Sequence, residues 1–318
     1  MTFAIREATE ADEDLETVVR IVNQTTPDDP DSIENLRWSN ATYPGTSRFI
    51  AEVEGVPIGV ATVGRMYVHP PEFEAFWATA TVLPGARHRG VGTALLIAIS
   101  DRARDRGKHV LHLPASDARP EGIAFLLHRG FSEYERSKTV SLELDGATPP
   151  DVNVPDGIVL TTLAERPDLA DGVYGVAVEA FADIPGGDTP IATGDPAEFR
   201  AREIDRPGIP HEGFIVAQSV DTGRVVGYAS LIRIAGAPRP TAWHDMTAVA
   251  RDHRGRGIAG ALKRATIRWA IADGIEVLEA GNDTDNAAMR AVNARAGYRP
   301  LPDSLTMRGP LFKGIMSA

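Results

Sequence analysis

The fold of this chain is decided by residues Val249–Leu262, which read VARDHRGRGIAGAL. The apolar, β-branched lead-in Trp243–Val249 predicts a strand, and the spacing of apolar residues from Ile258 onward predicts a helix. Between the two, Gly255 and Gly257 allow a sharp turn that exposes backbone N–H groups. Because a helix N-terminus adds unpaired N–H donors and the positive end of a dipole, the segment predicts an anion site that suits a phosphate.

The same arrangement occurs earlier, in residues Val82–Leu95, which read VLPGARHRGVGTAL. Both copies read Arg-x-x-Gly-x-(Gly/Ala), and they lie 167 residues apart (254 − 87). A Walker loop is excluded because no Gly-Lys-Ser/Thr follows, and a dinucleotide fingerprint is excluded because the Gly-x-Gly-x-x-Gly spacing is absent. Two copies in equivalent strand–loop–helix contexts indicate a duplicated fold.

This loop resembles the acetyl-CoA pyrophosphate loop of the GNAT N-acetyltransferases. A downstream series resembles that family's second cofactor-contacting segment, and it comprises Asn282, Asn286, Met289, Asn293 and Gly297-Tyr298. Phe125–Phe131 is a weaker match in the first half. The resemblance implies an α/β (α+β) fold of two tandem GNAT-like domains, each a mixed, mostly antiparallel twisted sheet flanked by helices. The strands before and after the loop helix are expected to be parallel, because a helix crossover joins them.

The length of 318 residues suits two domains, each large enough for its own core. The segment Asp145–Asp156 holds three prolines and few apolar residues, so it is expected to be a linker. The predicted division is an N-terminal domain at 1–146, a linker at 147–156 and a C-terminal domain at 157–318. The first domain is expected to be degenerate and the second catalytic.

The composition excludes several classes of function. The chain has no cysteine, which excludes disulfides, a thiol nucleophile and cysteine-ligated zinc, and no metal site is predicted. No apolar run reaches membrane-spanning length, and the acidic N-terminus is unlike a secretory signal, so no membrane partner and a cytoplasmic location are expected. The net charge of −11 argues against a nucleic-acid partner and favours a cationic substrate such as an amine.

The resemblance assigns the binding of acetyl-CoA, and hence of CoA, to residues of both halves. In the second half these are Val249, Arg254, Gly255, Arg256, Gly257, Ile258, Ala259 and Asn286. In the first half they are Val82, Arg87, Arg89, Gly90 and Gly92. A glycine-rich turn that caps a surface helix is the alternative for each loop, and a helix N-cap is the alternative for Asn286.

The family's reaction is attack of an amine on a thioester, which needs a base, N–H donors for the oxyanion and an acid. The acid is often a tyrosine four residues before the Gly-aromatic pair, but here that position holds Asn293 in the second half and Leu126 in the first. For the base, the strand that leads into the second loop offers His244 and Asp245, of which at most one faces the cleft. The corresponding stretch Phe76–Thr81 has no ionisable residue, so the second domain is expected to be active.

The resulting hypothesis is transfer of an acetyl group from acetyl-CoA to the primary amine of a small molecule. Two alternatives remain, namely a non-catalytic acyl-CoA-binding or regulatory protein, and a mycothiol synthase-like enzyme of the same two-domain layout. Asp183 and Asp188 lie in a loop that, by the resemblance, borders the acceptor, where they either hold an ammonium group or are solvated. The sequence leaves open the acceptor and the oligomeric state, with a homodimer among the possibilities.

Overall fold

The computed structural model describes residues 2–184 and 191–313, and their contacts group into two compact units. The first unit contains the residues up to Arg136, with 235–237 and the residues from Ser304 onward. The second contains 137–234 and 238–303. Of the residues predicted to border the acceptor, Asp188 lies outside the described residues.

The first unit alternates strands and helices in the order that the sequence predicts. Its strands are β1 (Ala4–Glu7), β2 (Ser47–Val53), β3 (Val56–Arg65), β4 (Ala75–Val82), β5 (Val110–Ser116) and the start of β6 (Ser132–Glu143). Its helices are α1 (Asp12–Thr25), α2 (Ile33–Thr42), α3 (Val91–Asp105) and α4 (Pro120–Leu127).

The second unit repeats this series. Its strands are the rest of β6, β7 (Ile158–Thr162), β8 (Ile215–Ser219), β9 (Val225–Arg233), β10 (Thr241–Val249), β11 (Val277–Asp283) and β12 (Arg299–Pro300). Its helices are α5 (Ala170–Phe181), α6 (Pro196–Glu203), α7 (Ile258–Ala272) and α8 (Ala287–Arg295). The last strand of the chain, β13 (Ser304–Pro310), belongs to the first unit.

Both sheets have the same order of strands. In the first unit the order is β1-β2-β3-β4-β5-β13, and in the second it is β7-β8-β9-β10-β11-β6. Every neighbouring pair is antiparallel except β4 with β5 and β10 with β11, which are parallel. The predicted fold class and the predicted parallel pairs are therefore confirmed.

The parallel strands separate soon after they meet. In the first unit Ala75–Trp77 pair with Val110–His112, and in the second Thr241–Trp243 pair with Val277–Glu279. Beyond these three pairs each, β4 and β10 continue toward their loops without a hydrogen-bonded partner on that side. Each unit thus contains a V-shaped opening between two strands.

Helices cover both faces of each sheet. In the first unit α3 and α4 pack on one core through Leu95 and Leu126, and α1 and α2 pack on another through Leu15 and Leu36. In the second unit α5 and α6 share one core, which includes Val176 and Phe199. The helix α7 packs through Leu262 and Ile267 into two separate cores. None of the helices within the described residues has the length and apolarity needed to cross a membrane.

The contact-based units differ from the predicted boundaries in the placement of the last strand of each half. Residues 137–143 of β6 pair with β11 in the second unit, and β13 pairs with β5 in the first. The predicted linker at 147–156 lies against α7, because Arg268 donates from Nη2 to the carbonyl oxygen of Pro150 at 2.8 Å. The proline-rich segment is therefore docked on the second unit.

The placement of β13 makes a prediction about stability. Met307 is buried in the core of the first unit and lies opposite Leu113, so Met307→Ala is expected to destabilise that unit by about 2–5 kcal/mol. The measurement is urea unfolding of the full chain carrying Trp243→Phe and Trp269→Phe, in which Trp38 and Trp77 report on the first unit. The matched control is Leu278→Ala, a buried change in the second unit. An unchanged midpoint with Met307→Ala would contradict the prediction.

Candidate functional site

The two predicted phosphate loops have the same backbone conformation. Arg87 has φ −65° and ψ 161°, and Arg254 has φ −67° and ψ 160°. The N-caps of α3 and α7 are Gly90 (φ 86°, ψ −10°) and Gly257 (φ 85°, ψ 0°), both left-handed. Since only glycine adopts this region without steric cost, the glycine of the motif is needed at the start of each helix.

Each loop is fixed by the first arginine of its motif. Arg254 donates from Nε to the carbonyl oxygen of Val249 at 3.0 Å, and Arg87 donates likewise to Val82 at 3.1 Å. Neither helix N-terminus has a side-chain cap. The backbone N–H groups of Ile258 and Ala259 are therefore candidates to bind a ligand. In the first loop His88 takes the left-handed place of Gly255 (φ 60° against 75°). Both loops have the geometry of an anion cradle.

The charges around the second loop are arranged unequally. Arg256 is exposed and forms no ion pair within the described residues. Arg254, by contrast, pairs with Asp183 from Nη1 at 2.8 Å, and Arg251 pairs with the same carboxylate at 2.6 Å. Asp183 therefore neutralises the loop arginines, and its carboxylate is already engaged rather than open to an acceptor's ammonium group.

The second predicted segment begins at the N-cap of α8. The side chain of Asn286 accepts from the backbone N–H of Met289 at 3.2 Å, so the N-cap alternative describes its oxygen. Its amide nitrogen has no partner within the described residues and is available to a ligand. The equivalent residue of the first unit is Arg119, which caps nothing and binds the carboxylate of Asp28 at 2.6 Å. The two segments have diverged at this position.

The strand before the second loop contains an irregularity that the first unit lacks. The register of β10 on β9 shifts between His244 and Thr247, whereas β4 runs on β3 in unbroken register. The shift follows Trp243, the last residue of β10 that pairs with β11. A bulge leaves backbone groups outside the ladder and re-aims side chains. The second unit thus has a bulge at the apex of its V-shaped opening.

Two carboxylates approach one another beside this bulge. Asp245 on β10 is half-buried, and Ser230 on β9 lies 3.5 Å from its Oδ2. Glu203, at the end of α6, is also half-buried. Burial, followed by the negative charge of Asp245, raises the pKa of Glu203 to about 7, and burial raises the pKa of Asp245 as well. The positive charge of Arg206 opposes both shifts.

His244 faces the opposite side of β10 and is only 3% exposed. Its Nδ1 lies 3.3 Å from the hydroxyl of Tyr298, and its Nε2 lies 3.2 Å from the hydroxyl of Thr247. Burial, with a smaller contribution from the charge of Lys263, holds the pKa of His244 well below its ordinary value. The imidazole is therefore neutral at physiological pH. Of His244 and Asp245, the two residues predicted as alternatives for the base, Asp245 is the more accessible.

Asn293, which stands where the family has its tyrosine, is 2% exposed. Its amide nitrogen donates to the side-chain oxygen of Asn282 on β11. Its own side-chain oxygen has no partner among the described residues. The amide is thus positioned as a hydrogen-bonding group beside the strand opening, and its part in catalysis stays a prediction.

The opening of the first unit is lined differently. His112 pairs with Trp77 at the end of the β4–β5 ladder and is 3% exposed, with neither ring nitrogen hydrogen-bonded to a described residue. Burial lowers the pKa of His112 to about 4, so the ring is neutral. Its neighbours Phe73 and Tyr134 contact it through their rings. The strand β4 has no counterpart of Asp245, because Phe76–Thr81 contains no ionisable residue.

Two functional candidates escaped the sequence analysis. Glu203 lies in a predicted helix, but nothing in its sequence context marks it, because its character arises from Asp245, 42 positions later (245 − 203). Lys263 lies on the inner face of α7. A signal for it exists in the duplication, since the equivalent residue of the first unit is Leu96, a core leucine.

Comparisons with known proteins agree with the loops and the fold. The model of the acetyltransferase (GNAT) family matches residues 13–131 and again residues 179–298. These two regions make up more than half of the chain and contain both phosphate loops. The chain therefore belongs to the acetyltransferase (GNAT) family, and it contains two copies of that family's domain.

Similar proteins match most of the length of this chain. A mycothiol acetyltransferase from Amycolatopsis mediterranei (strain U-32) is 25% identical over 268 residues, covering 80% of this chain and 82% of that protein. A tandem GNAT protein from the clavulanic acid biosynthesis pathway has a TM-score of 0.77 at 21% identity, covering 98% of this chain and 99% of that chain. A GCN5-related N-acetyltransferase from Sphaerobacter thermophilus has a TM-score of 0.74 at 19% identity, covering 98% and 97%. The structural matches show that the fold is shared.

The pairing of Asp183 with two loop arginines makes a prediction about anion affinity. Asp183→Asn removes a negative charge beside the second loop and is expected to tighten CoA binding there by about two- to fivefold. Titration calorimetry on the full chain measures this, and added salt is expected to diminish the gain. The control is Asp168→Asn, which breaks an exposed pair with Arg166 elsewhere in the unit. Weaker binding with Asp183→Asn would show that the carboxylate organises the loop instead.

Proposed function

We propose that the protein is a cytoplasmic N-acetyltransferase that moves an acetyl group from acetyl-CoA to the primary amine of a small molecule. The observation that carries the proposal is the coincidence, in the second unit, of an anion loop, a strand bulge and a carboxylate pair around one V-shaped opening. Family membership supports acyl transfer as the type of reaction.

The residues of the second loop fit the diphosphate of CoA. The N-terminus of α7 offers uncapped N–H groups, and Gly255 and Gly257 have no Cβ to obstruct their approach. Arg256, which forms no ion pair among the described residues, supplies a positive charge at the same place. Acetyl-CoA supplies the thioester whose acetyl group is transferred. Backbone N–H groups at the bulge in β10 are the proposed donors to the thioester oxygen as it gains negative charge.

The carboxylate pair provides the base. An alkylammonium acceptor must lose a proton before its nitrogen can attack, and the raised pKa values of Asp245 and Glu203 suit the pair to accept that proton. The pair also attracts a cation, in line with the net charge of −11. Asp245 receives the proton at the strand opening, and Glu203 shares the charge that results. The substrate class is accordingly a protonated small-molecule amine.

The first unit retains the anion loop, but its strand β4 has neither a bulge nor a carboxylate. We propose that it is catalytically inactive and that its loop, with Arg87, Arg89, Gly90 and Gly92 as the candidate contacts, still binds CoA. In the alternative of a purely acyl-CoA-binding or regulatory protein, both units would bind CoA and neither would be catalytic. The carboxylate pair of Asp245 and Glu203 in the second unit argues against that alternative.

The narrower alternative is an acceptor like that of the mycothiol acetyltransferases. It is supported by the relative from Amycolatopsis mediterranei at 25% identity over 80% of this chain. An acceptor of the kind acetylated by that relative therefore belongs in any amine panel, next to simple diamines and amino sugars. Turnover confined to that acceptor would favour this alternative, and turnover confined to the others would reject it.

The decisive variants are Gly257→Glu and Gly90→Glu. A glutamate in either loop adds a negative charge at the anion site and a Cβ at a φ of 85° or 86°. With Gly257→Glu we expect thiol release from acetyl-CoA to be lost with every amine. With Gly90→Glu we expect turnover to persist while calorimetry shows one CoA site fewer. CoA binding without turnover on a broad panel would instead favour the binding protein, and failure to bind CoA would refute both.

The carboxylate pair predicts the acidic limb of the pH profile. Since the pKa of Glu203 is raised to about 7, the base is protonated below that pH, and kcat/KM is expected to rise as pH increases through 7. Asp245→Asn is expected to lower kcat by about 100-fold or more. Glu203→Gln removes the charge that disfavours ionisation of Asp245, so the limb is expected to move to lower pH. The control is Glu212→Gln, an exposed glutamate of the same unit, which should leave the profile unchanged. A limb that neither Asp245→Asn nor Glu203→Gln moves would exclude the pair as the base.

A further inference from the structure

Polar side chains in the second unit replace an apolar core on the α7 face of the sheet. In the helices α3 and α7 and beyond, equivalent positions of the two units lie 167 residues apart. Before the bulge the two strands are aligned on Trp77 and Trp243, the last residues of β4 and β10 in the two parallel ladders. The equivalent pairs are His244 and Ala78, Lys263 and Leu96, Thr266 and Ile99, and Tyr298 and Phe131. Each of these residues is buried in its own unit. One copy of the fold therefore packs with apolar side chains where the other carries an amine, an imidazole and two hydroxyls.

Lys263 is the least compensated member of this set. The residue is 2% exposed, and its Nζ forms no hydrogen bond within the described residues. The amine lies 4.9 Å from the centre of the Tyr298 ring. Burial lowers the pKa of Lys263 to about 7, so the group changes charge near physiological pH. Since Leu96 fills the equivalent place in the first unit, the fold itself does not require the amine.

Lys263 neighbours a chain of hydrogen-bonding groups that ends at the bulge. Tyr298 lies between the amine and His244, as its ring contacts Lys263 and its hydroxyl is 3.3 Å from Nδ1 of His244. The other ring nitrogen of His244 reaches Thr247, on the far side of the bulge. The charge of Lys263 also acts on His244. The chain thus connects α7 with the point at which β10 leaves β11.

We propose that the positive charge of Lys263 stabilises the thiolate that leaves when the acetyl group is transferred. This inference rests on the proposed function. Lys263 acts by its charge, because its Nζ contacts the ring of Tyr298 and forms no hydrogen bond with His244 or another described residue. It takes the part for which the sequence offers no tyrosine at Asn293.

The anion loop is the N-terminal end of α7, and His244 lies where α7 packs on β10. CoA held at this loop is expected to extend along the α7 face, toward Lys263. Asp245 faces the other side of β10, toward Glu203 at the end of α6. When the C–S bond of the thioester breaks, sulfur retains the electron pair, and the Lys263 ammonium group stabilises the resulting thiolate by its charge. The thiolate then takes a proton from solvent, and the proton lost by the acceptor resides on the carboxylate pair.

The surroundings of Lys263 make its charge responsive to the thiol. The ionisable groups facing it are His244 from β10 and Tyr298 after α8, with the hydroxyl of Thr266 on its own helix. Burial raises the pKa of Tyr298, so its hydroxyl remains protonated, and His244 remains neutral. The other members of the core beside them are apolar, among them Leu278 and Ala280. A thiolate is therefore the anion that the ammonium group is placed to meet.

The test uses the thiol of bound CoA, which requires neither an acceptor nor turnover. The full chain carrying Gly90→Glu confines CoA to the second loop, and ultraviolet absorbance follows the thiolate as pH is raised. With Lys263 present we expect the thiol pKa of bound CoA to lie about one unit or more below its value in Lys263→Leu, a change of about tenfold in the ratio of thiolate to thiol. Lys263→Arg keeps the charge and is expected to retain the lowered value.

The substitution Lys263→Leu installs the residue that the first unit carries at this position, so folding is expected to be preserved. Stability provides the check. A lysine titrating at about 7 when folded and 10.5 when unfolded makes the protein more stable as pH rises between those values, and Lys263→Leu is expected to abolish that rise. Desulfo-CoA, which has no thiol, is expected to bind equally well to both proteins.

In turnover, the alkaline limb of kcat provides a second readout. Because the amine loses its proton above about pH 7, kcat is expected to fall in that range, and Lys263→Arg is expected to move this fall out of range. An identical thiol pKa in the Lys263 and Lys263→Leu proteins overturns the proposal whatever the activity. Absence of turnover with a normal thiol shift contradicts the proposed function alone, and failure of CoA to bind the second loop overturns both.

Discussion

The separation of two parallel strands after three paired residues is the constraint on which both candidate sites depend. Hydrogen bonding holds Thr241–Trp243 to Val277–Glu279 and then ends, although β10 remains paired with β9 on its other side. The strand is thereby held rigidly along one edge and opened along the other. Backbone groups that a closed sheet would satisfy internally become available to a ligand. The loop and α7 continue directly from this strand, so the anion site and the opening are fixed relative to one another.

Duplication has produced two copies of this arrangement with different contents. The first unit fills the space beneath its opening with Leu96, Ile99 and Phe131, which favour stability. The second has Lys263, Thr266 and Tyr298 at the same positions and has a bulge as well. Burying an amine and an imidazole destabilises a domain unless the groups are fully paired. At these positions the first unit avoids that destabilisation, so the second unit is the one in which chemistry is expected.

Much of the fold could be predicted from the sequence because its signals are local. Gly90 and Gly257 mark the starts of α3 and α7, and the 167-residue offset transfers each assignment from one half to the other. Pairing between distant strands carries no such signal. β6 and β13 have the expected strand character, but their partners β11 and β5 follow from three-dimensional packing and not from periodicity. Consequently the two strands could be predicted from the sequence, but the unit to which each belongs could not.

The candidate site was predictable to the same extent. Arg254, Gly257 and Asn286 belong to motifs, whereas Glu203 and Lys263 take their properties from neighbours that the folded chain brings together. Sequence alternation did show that His244 and Asp245 face opposite sides of the strand. It did not show which side is buried, because that depends on how closely α7 packs against β10. Burial, in turn, decides that the imidazole is neutral and the carboxylate half-accessible.

The alternation along β10 also resolves a difficulty that any site with both a base and an ammonium group meets. In one cavity the carboxylates and Lys263 would form an ion pair, which would lower the pKa of the acids and raise that of the amine. Placed on opposite faces of a strand, each group is shifted mainly by its own burial, toward neutrality in both cases. The proposed proton acceptor and the ammonium group can therefore both function near pH 7. The strand separates them, and we propose that the substrate meets both faces at the bulge between His244 and Thr247.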